Sequence, residues 1–177
     1  MPSLQELADR LHIAWAVEFT GWVAGGDLPP LLAGVDIVIN PSLRAWSETF
    51  CITNIEVMSM EVALVTFAVG GIGEYVKEPT AEDPITKGDQ DNREKSGSNH
   101  SSDSSNNSDY SVGKNAVVVH VATPTAIAAA VVHLIKDPVL RGRIGVAARH
   151  TVLQRFSTAR QMKQYEELYS ILHEMKN

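Results

Sequence analysis

The feature that most constrains the fold of this chain is the alternation of short apolar runs with segments of helical periodicity. The runs are rich in β-branched residues, as in strands buried within a sheet, and they comprise residues 35–40, 62–67 and 116–120, with a shorter candidate at 16–19. Strands that alternate with helices over short links form parallel sheets. The sequence therefore predicts an α/β, Rossmann-like fold in which a parallel sheet of about four strands is flanked by helices.

Capping residues mark where several of the helices begin. Asp27, Thr123 or Thr125, and Ser157 each carry a side-chain oxygen that can accept a hydrogen bond from the first turn of a helix. The predicted helices comprise residues 3–12, 28–33, 50–60, 138–154 and 158–174, an Ala-rich helix that ends near Lys136 and a short helix that ends at Val76.

One stretch differs in composition from this alternating pattern. Residues 79–114 are dominated by Ser, Asn, Asp and Gly, and Tyr110 is their only aromatic residue. Such a composition buries too little apolar surface to offset the entropy lost on ordering. We therefore expect a disordered insertion that divides a single domain into residues 1–78 and 115–177.

Composition excludes several classes of protein. The net charge of −6 argues against binding to the nucleic-acid backbone, which needs a basic face. The longest apolar run is well short of the roughly 20 residues of a membrane helix, and the first residues lack the basic and apolar regions of a signal peptide. The single cysteine excludes an internal disulfide. We expect a cytoplasmic protein without a membrane span.

Two segments carry candidate chemistry, and each follows a predicted strand, where α/β sheets bind ligands. In residues 40–56, the amides that open a helix favour an anion such as a diphosphate, and the carboxylates of Glu48 and Glu56 can accept the paired hydroxyls of a sugar. A capping glutamate followed by a solvated one is the alternative interpretation. In residues 69–76, glycines allow backbone amides to approach a phosphate; the alternative is a tight turn without a ligand.

The order and spacing of three motifs resemble the C-terminal domain of retaining GT-B glycosyltransferases of family 4, the glycosyl transferases group 1. Residues 35–43 are similar to the family's strand and Pro-Ser loop, residues 48–58 to its E-x7-E motif, and residues 70–74 to its glycine loop. The segment after residue 115 is similar to the next strand and the closing helices. The resemblance covers nearly the whole chain outside the insertion and implies a partial GT-B C-terminal domain.

This resemblance implies donor-binding roles for Glu48, Phe50, Cys51, Glu56, Gly70 and Gly71. Glu48 would be the catalytic residue that contacts the donor sugar, and Glu56 would bind the ribose hydroxyls. The amides of Phe50 and Cys51 would lie near the diphosphate, and the glycines would shape the cleft. The donor, a nucleotide-diphosphate sugar, is a substrate, so no cofactor and no metal site are expected.

The chain also departs from the family's pattern. Cys51 stands where the family usually has Gly, and Met60-Glu61-Val62-Ala63 replaces a small-Gly-x-Pro turn. The family's basic pair for the diphosphate and its N-terminal acceptor domain have no counterpart in the chain. We therefore expect an N-terminally truncated fragment that needs this missing domain to bind an acceptor, of unknown identity.

The function that follows from the resemblance is retaining hexosyl transfer from a nucleotide-sugar, with this fragment weakly active or inactive alone. One alternative is a non-catalytic binding or interaction module that kept the fold. Another is a nucleotide-sugar epimerase of the GT-B fold. Apolar residues at helical spacing near the C-terminus, between Leu153 and Leu172, predict a helix-packing surface; the resemblance implies instead that the last helix crosses to the partner domain.

Overall fold

The computed structural model of the chain describes residues 3–44, 46, 48–76 and 109–175. The described residues form two compact units that divide between Leu31 and Leu32. Most of the predicted insertion, residues 79–108, lies outside the described residues. The division of the chain into a single discontinuous domain therefore stays a prediction.

The first unit contains little regular structure. Helix α1 (Leu4–Arg10) lies within the predicted helix 3–12 and begins at a capping box, in which Ser3 Oγ accepts a hydrogen bond from the Glu6 amide. A 3₁₀ helix follows at Ala14–Ala16. The strand predicted at residues 16–19 is wrong: Val17 and Phe19 are exposed, and this segment belongs to no sheet within the part of the chain that the structure describes.

The described residues of the second unit form a sheet of four strands. These strands are β1 (Ile37–Asn40), β2 (Ala63–Thr66), β3 (Tyr110–Val112) and β4 (Val117–Val119), arranged in the order β1-β2-β4-β3. The β1–β2 and β2–β4 pairs are parallel, whereas β3 is antiparallel to β4. The predicted α/β, Rossmann-like sheet is thus confirmed as mostly parallel.

Two strand predictions need correction. Residues 110–112, which were expected to be disordered, form β3, because Gly113 and Ala116 close a hairpin that lets this short segment pair with β4. The sequence predicts a buried strand at 35–40, but β1 lies at the edge of the sheet that the described residues form, is largely half-buried, and leaves Ile39 exposed. The fourth strand of the sheet is therefore β3 and not residues 16–19.

The helices agree closely with their predicted positions. They are α2 (Leu28–Ala33), α3 (Ile52–Ser59), α4 (Pro124–Lys136), α5 (Pro138–Arg155) and α6 (Thr158–Glu174). Side chains of Thr123, Asp137 and Ser157 accept hydrogen bonds at the starts of the last three helices. A 3₁₀ helix occupies Gly70–Glu74, where a short helix ending at Val76 was predicted.

The core lies between one face of the sheet and helices α4 and α5. It is formed by small and branched apolar side chains: Ala63, Val65, Phe67, Val117, Val119, Ala126, Ala130, Leu134, Leu140 and Ile144. Helix α5 also packs on α3. Its Gly145 lies so close to Glu61 that a Cβ added at this glycine would lie 2.0 Å from the Glu61 carbonyl oxygen.

Helix α6 does not pack as predicted. Every residue in α6 is exposed, and Met162, Tyr165, Leu168 and Leu172 along its apolar stripe are each about half accessible. The predicted packing surface of this helix is therefore uncovered by the described residues. None of the helices formed by those residues combines the length and apolar character needed to cross a lipid bilayer.

Candidate functional site

The candidate site lies at the carboxyl ends of the two neighbouring parallel strands β1 and β2. Asn40 ends β1, and its Nδ2 donates to Asn54 Oδ1 at 2.7 Å and to Cys51 Sγ at 2.9 Å. Its Oδ1 accepts a hydrogen bond from the Ser42 amide at 3.1 Å. The Asn40 side chain thus joins the strand end both to the following loop and to the start of α3.

The loop between β1 and α3 presents Glu48 as a half-buried carboxylate. Glu48 Oε2 accepts a hydrogen bond from Ser42 Oγ at 2.9 Å, and the Glu48 amide donates to the Arg44 carbonyl oxygen at 3.2 Å. Helix α3 has no side-chain cap, and its N-cap residue is Cys51. Glu48 is therefore not the capping residue of this helix, as the alternative interpretation would require.

The glycine turn after β2 packs directly on this loop. The Gly71 amide donates to the Glu48 carbonyl oxygen at 3.3 Å, and a Cβ added at Gly71 would lie 1.8 Å from the Thr49 carbonyl oxygen. Gly70 adopts a φ of 53°, in the left-handed region that glycine reaches without steric cost. The structure thus brings Glu48 and the glycine turn into contact, and only a residue without a side chain fits at position 71.

Backbone amides at the start of α3 are open, in the sense that they donate no hydrogen bond to the described residues. Among the described residues, the N–H groups of Cys51, Ile52 and Thr53 have no hydrogen-bond partner; the Asn54 amide donates to the Cys51 carbonyl oxygen at 3.1 Å. Unpaired amides and the positive end of the helix dipole attract an anion. This end of α3 has the chemistry of a phosphate-binding site.

Cys51 takes an unusual backbone conformation. Its φ of 58° and ψ of 78° place it in the left-handed region, which an L-residue with a Cβ occupies at a cost. Glu61, in the turn between α3 and β2, has a φ of 61°. Both residues stand where the resembled family favours glycine.

Three aromatic rings form a cluster that includes Phe50 of this loop. Phe50, Tyr75 and Phe156 make mutual edge-to-face contacts, with centroids 5.2–5.9 Å apart. The Tyr75 hydroxyl donates to the Phe50 carbonyl oxygen at 2.9 Å. Burial, opposed by the nearby Asn54 side chain, raises the pKa of Tyr75 from 10.0 to about 12.

Glu56 is half-buried on α3, and its side chain has no hydrogen bond or ion pair within the described part of the chain. The structure places it about one helix turn beyond the open amides. Its carboxylate is therefore available to hydroxyl groups of a ligand.

Sequence reasoning assigned no role in this region to four residues, Asn40, Asn54, Tyr75 and Phe156, although the first three lie within its candidate segments 40–56 and 69–76. A polar residue ending an apolar strand, and another within the buried face of a helix, were signals for the two asparagines. The two aromatic residues lie far apart in sequence and gave no local signal. Nowhere in the described ranges do three or more His, Cys, Asp or Glu side chains form a group suited to a metal ion.

The sheet, the open helix start and the glycine turn together define a Rossmann-like α/β domain with its candidate site at the carboxyl edge of the strands. Residues 1–92 match the family described as glycosyl transferases group 1. Because this match covers more than half of the 177 residues, the chain belongs to that family. No curated protein matches the chain to a significant degree.

Solved structures share its fold. Sucrose-phosphate synthase from Thermosynechococcus elongatus is 19% identical, with a TM-score of 0.68 over 97% of this chain and 34% of its own. Anabaena HepE, solved in complex with UDP, is 22% identical, with a TM-score of 0.68 over 94% of this chain and 35% of its own. The C-terminal domain of the group 1 protein LpcC from Francisella tularensis is 18% identical, with a TM-score of 0.60 over 88% of this chain and 61% of its own. The chain thus spans about a third of the first two.

Proposed function

We propose that the second unit of this chain binds the nucleotide-diphosphate sugar donor of a glycosyltransferase. The observation that carries the proposal is the packing of the glycine turn on the Glu48 loop, with Gly71 against the carbonyl groups of Glu48 and Thr49. This contact brings the Glu48 loop and the glycine turn together at one edge of the sheet. Both lie beside the open amides of α3. An anion flanked by hydroxyl groups, as in a nucleotide-sugar, suits that combination.

Each predicted site residue has a role in this proposal. The amides of Cys51, Ile52 and Thr53 bind the diphosphate, and the unpaired carboxylate of Glu56 accepts the ribose hydroxyls. Glu48, oriented by Ser42 through a hydrogen bond of 2.9 Å, contacts the donor sugar as the catalytic residue. Phe50 and the two glycines, Gly70 and Gly71, shape the cleft through their backbone.

We further propose that the complete enzyme transfers a hexosyl group with retention of configuration. Membership of the glycosyl transferases group 1 family supports the reaction class, and the complex of HepE with UDP supports a nucleotide donor. Sucrose-phosphate synthase and HepE are about three times as long as the part of each that aligns with this chain, so we assign acceptor binding to a separate N-terminal domain. Positioning two substrates between two domains would supply the proximity that transfer requires.

Glu56→Ala tests the proposed binding site. We expect the affinity for the donor to fall by about 1–3 kcal/mol, because the charge-assisted hydrogen bonds to ribose are lost. Isothermal titration with uridine, guanosine and adenosine diphosphate sugars measures the change. Glu166→Ala, an exposed carboxylate of α6, is the matched control and should leave affinity unchanged. Equal affinity of the Glu56 variant and the unaltered chain would remove Glu56 from the site.

A non-catalytic binding module is the second candidate, and the conformation of Cys51 favours it. A side chain replaces the usual glycine at the helix start, and its sulfur is held by Asn40 at 2.9 Å, within the region assigned to the diphosphate. This candidate predicts that none of the three diphosphate sugars binds while circular dichroism shows an intact fold.

A further inference from the structure

The ring, the hydroxyl and the backbone carbonyl of Tyr75 each contact another part of the second unit. The residue is fully buried, and its ring contacts both Phe50 and Phe156, with centroid distances of 5.6 and 5.9 Å. Asn115 Nδ2 donates to its carbonyl oxygen at 2.9 Å and to Thr151 Oγ1 at 3.0 Å. Tyr75 is therefore a rigid support, tied to the end of α5 as well as to the glycine turn.

The tyrosine hydroxyl sets the orientation of one peptide in the loop. It donates to the Phe50 carbonyl oxygen at 2.9 Å and lies 3.5 Å from the Cys51 carbonyl oxygen. In a trans peptide, the carbonyl and the following amide point in opposite directions, and no described peptide is cis. With the Phe50 carbonyl held toward Tyr75, the Cys51 amide must point away from it, and this amide has no partner among the described residues.

We propose that Tyr75 is a positioning residue of the donor site, whose hydroxyl locks the Phe50–Cys51 peptide so that the Cys51 amide faces the donor diphosphate. The inference rests on the proposed function and adds a residue that makes no contact with the ligand itself. Pre-oriented amides bind an anion more tightly than amides that must first be ordered. Loss of the hydroxyl should release the peptide while the aromatic contacts remain.

Tyr75→Phe isolates this hydroxyl, because phenylalanine keeps the ring contacts with Phe50 and Phe156. Hydrogen exchange of the amides of Glu48, Asn54 and Gly71, which are hydrogen-bonded in and around this loop, should accelerate about five- to tenfold in the absence of ligand, in line with the loss of one hydrogen bond. Exchange in β2 should stay unchanged and report an intact fold. Tyr165→Phe, on the exposed face of α6, is the matched control and should alter neither segment.

Isothermal titration with UDP, GDP and ADP measures the consequence for binding. The variant should bind whichever diphosphate the unaltered chain binds, with an affinity about fivefold lower. A purely structural role would lower the thermal midpoint and leave the affinity of the folded protein unchanged. Unchanged exchange at the Glu48, Asn54 and Gly71 amides, or faster exchange with unchanged affinity, would overturn the inference. Failure of the unaltered chain to bind any of the three would refute the proposed function, while the exchange data would still decide whether Tyr75 orients the peptide.

Discussion

Two residues of the second unit occupy backbone conformations that suit glycine better than their own side chains. Cys51 has a φ of 58° and Glu61 a φ of 61°. The left-handed region costs an ordinary L-residue about 1–2 kcal/mol, and the surrounding contacts must offset that strain. The sequence shows both residues as departures from the family's pattern, but their conformations required the structure, since φ at one residue depends on how the chain packs on either side.

The strain at Cys51 can be measured by comparing two substitutions. Cys51→Gly and Cys51→Ala both remove the sulfur that accepts a hydrogen bond from Asn40, but only glycine relieves the left-handed strain. We expect the glycine variant to be about 1 kcal/mol more stable than the alanine variant in urea denaturation.

The matching pair of substitutions at Thr53 is the control for this comparison. Thr53 is an exposed residue of α3, where alanine should be the more stable of the two by up to about 1 kcal/mol. If the alanine variant is more stable than the glycine variant at position 51 as well as at position 53, the assignment of strain to Cys51 is contradicted.

At the scale of elements, sequence reasoning succeeded wherever local chemistry determined the structure. Caps at Thr123 and Ser157 and the apolar runs of β2 and β4 are readable within a few residues. The strand β3 was missed because it has only three residues, at the end of a stretch rich in Ser, Asn and Asp, and it is ordered by pairing with β4. The segment 16–19 was wrongly predicted as a strand for the converse reason: its propensity is suitable, but no described strand pairs with it.

The packing of α5 on the turn at Glu61 can be tested with two glycines of the same helix. A Cβ at Gly145 would lie 2.0 Å from the Glu61 carbonyl oxygen, whereas a Cβ at Gly142 would meet nothing within 4 Å. Gly145→Ala should destabilise the protein by about 1–3 kcal/mol, because helix and turn must move apart. Gly142→Ala should stabilise it by up to about 1 kcal/mol.

Thermal and urea unfolding of the two variants provide the measurement. Both positions lie in the interior of α5, so the gain in helix propensity from glycine to alanine is the same for the two variants. The remaining difference in their stability reports the contact with Glu61. Similar changes in stability for the two variants would show that α5 does not approach the turn as closely as the structure places it.

At the scale of the whole molecule, the candidate site combines parts that sequence could place with parts that it could not. The loop at Glu48 and the turn at Gly71 follow neighbouring parallel strands, so their proximity follows from topology. The aromatic support does not, because Phe156 reaches Phe50 only through the packing of α5 against α3. The roles of Glu48 and Glu56 toward a donor stay predictions that the binding experiments decide.

The buried hydroxyl of Tyr75 links the stability of the molecule to alkaline pH. Burial raises the pKa of Tyr75 from 10.0 to about 12, so the folded state holds this proton more tightly than the unfolded state. The resulting contribution to the free energy of unfolding is fully present below pH of about 10 and is lost as the pH rises to about 12. A difference of two pKa units corresponds to about 2–3 kcal/mol.

Urea denaturation at a series of pH values across this range measures the loss. The unaltered chain should lose more stability on alkaline titration than Tyr75→Phe, which has no proton to release at this position, and the difference should approach the full linkage energy. Tyr169→Phe, at an exposed residue of α6, controls for the loss of a tyrosine hydroxyl elsewhere in the chain, and it should follow the unaltered chain. If the free energy of unfolding falls equally with pH in the Tyr75 variant and the unaltered chain, the Tyr75 hydroxyl is not held in a position that excludes water.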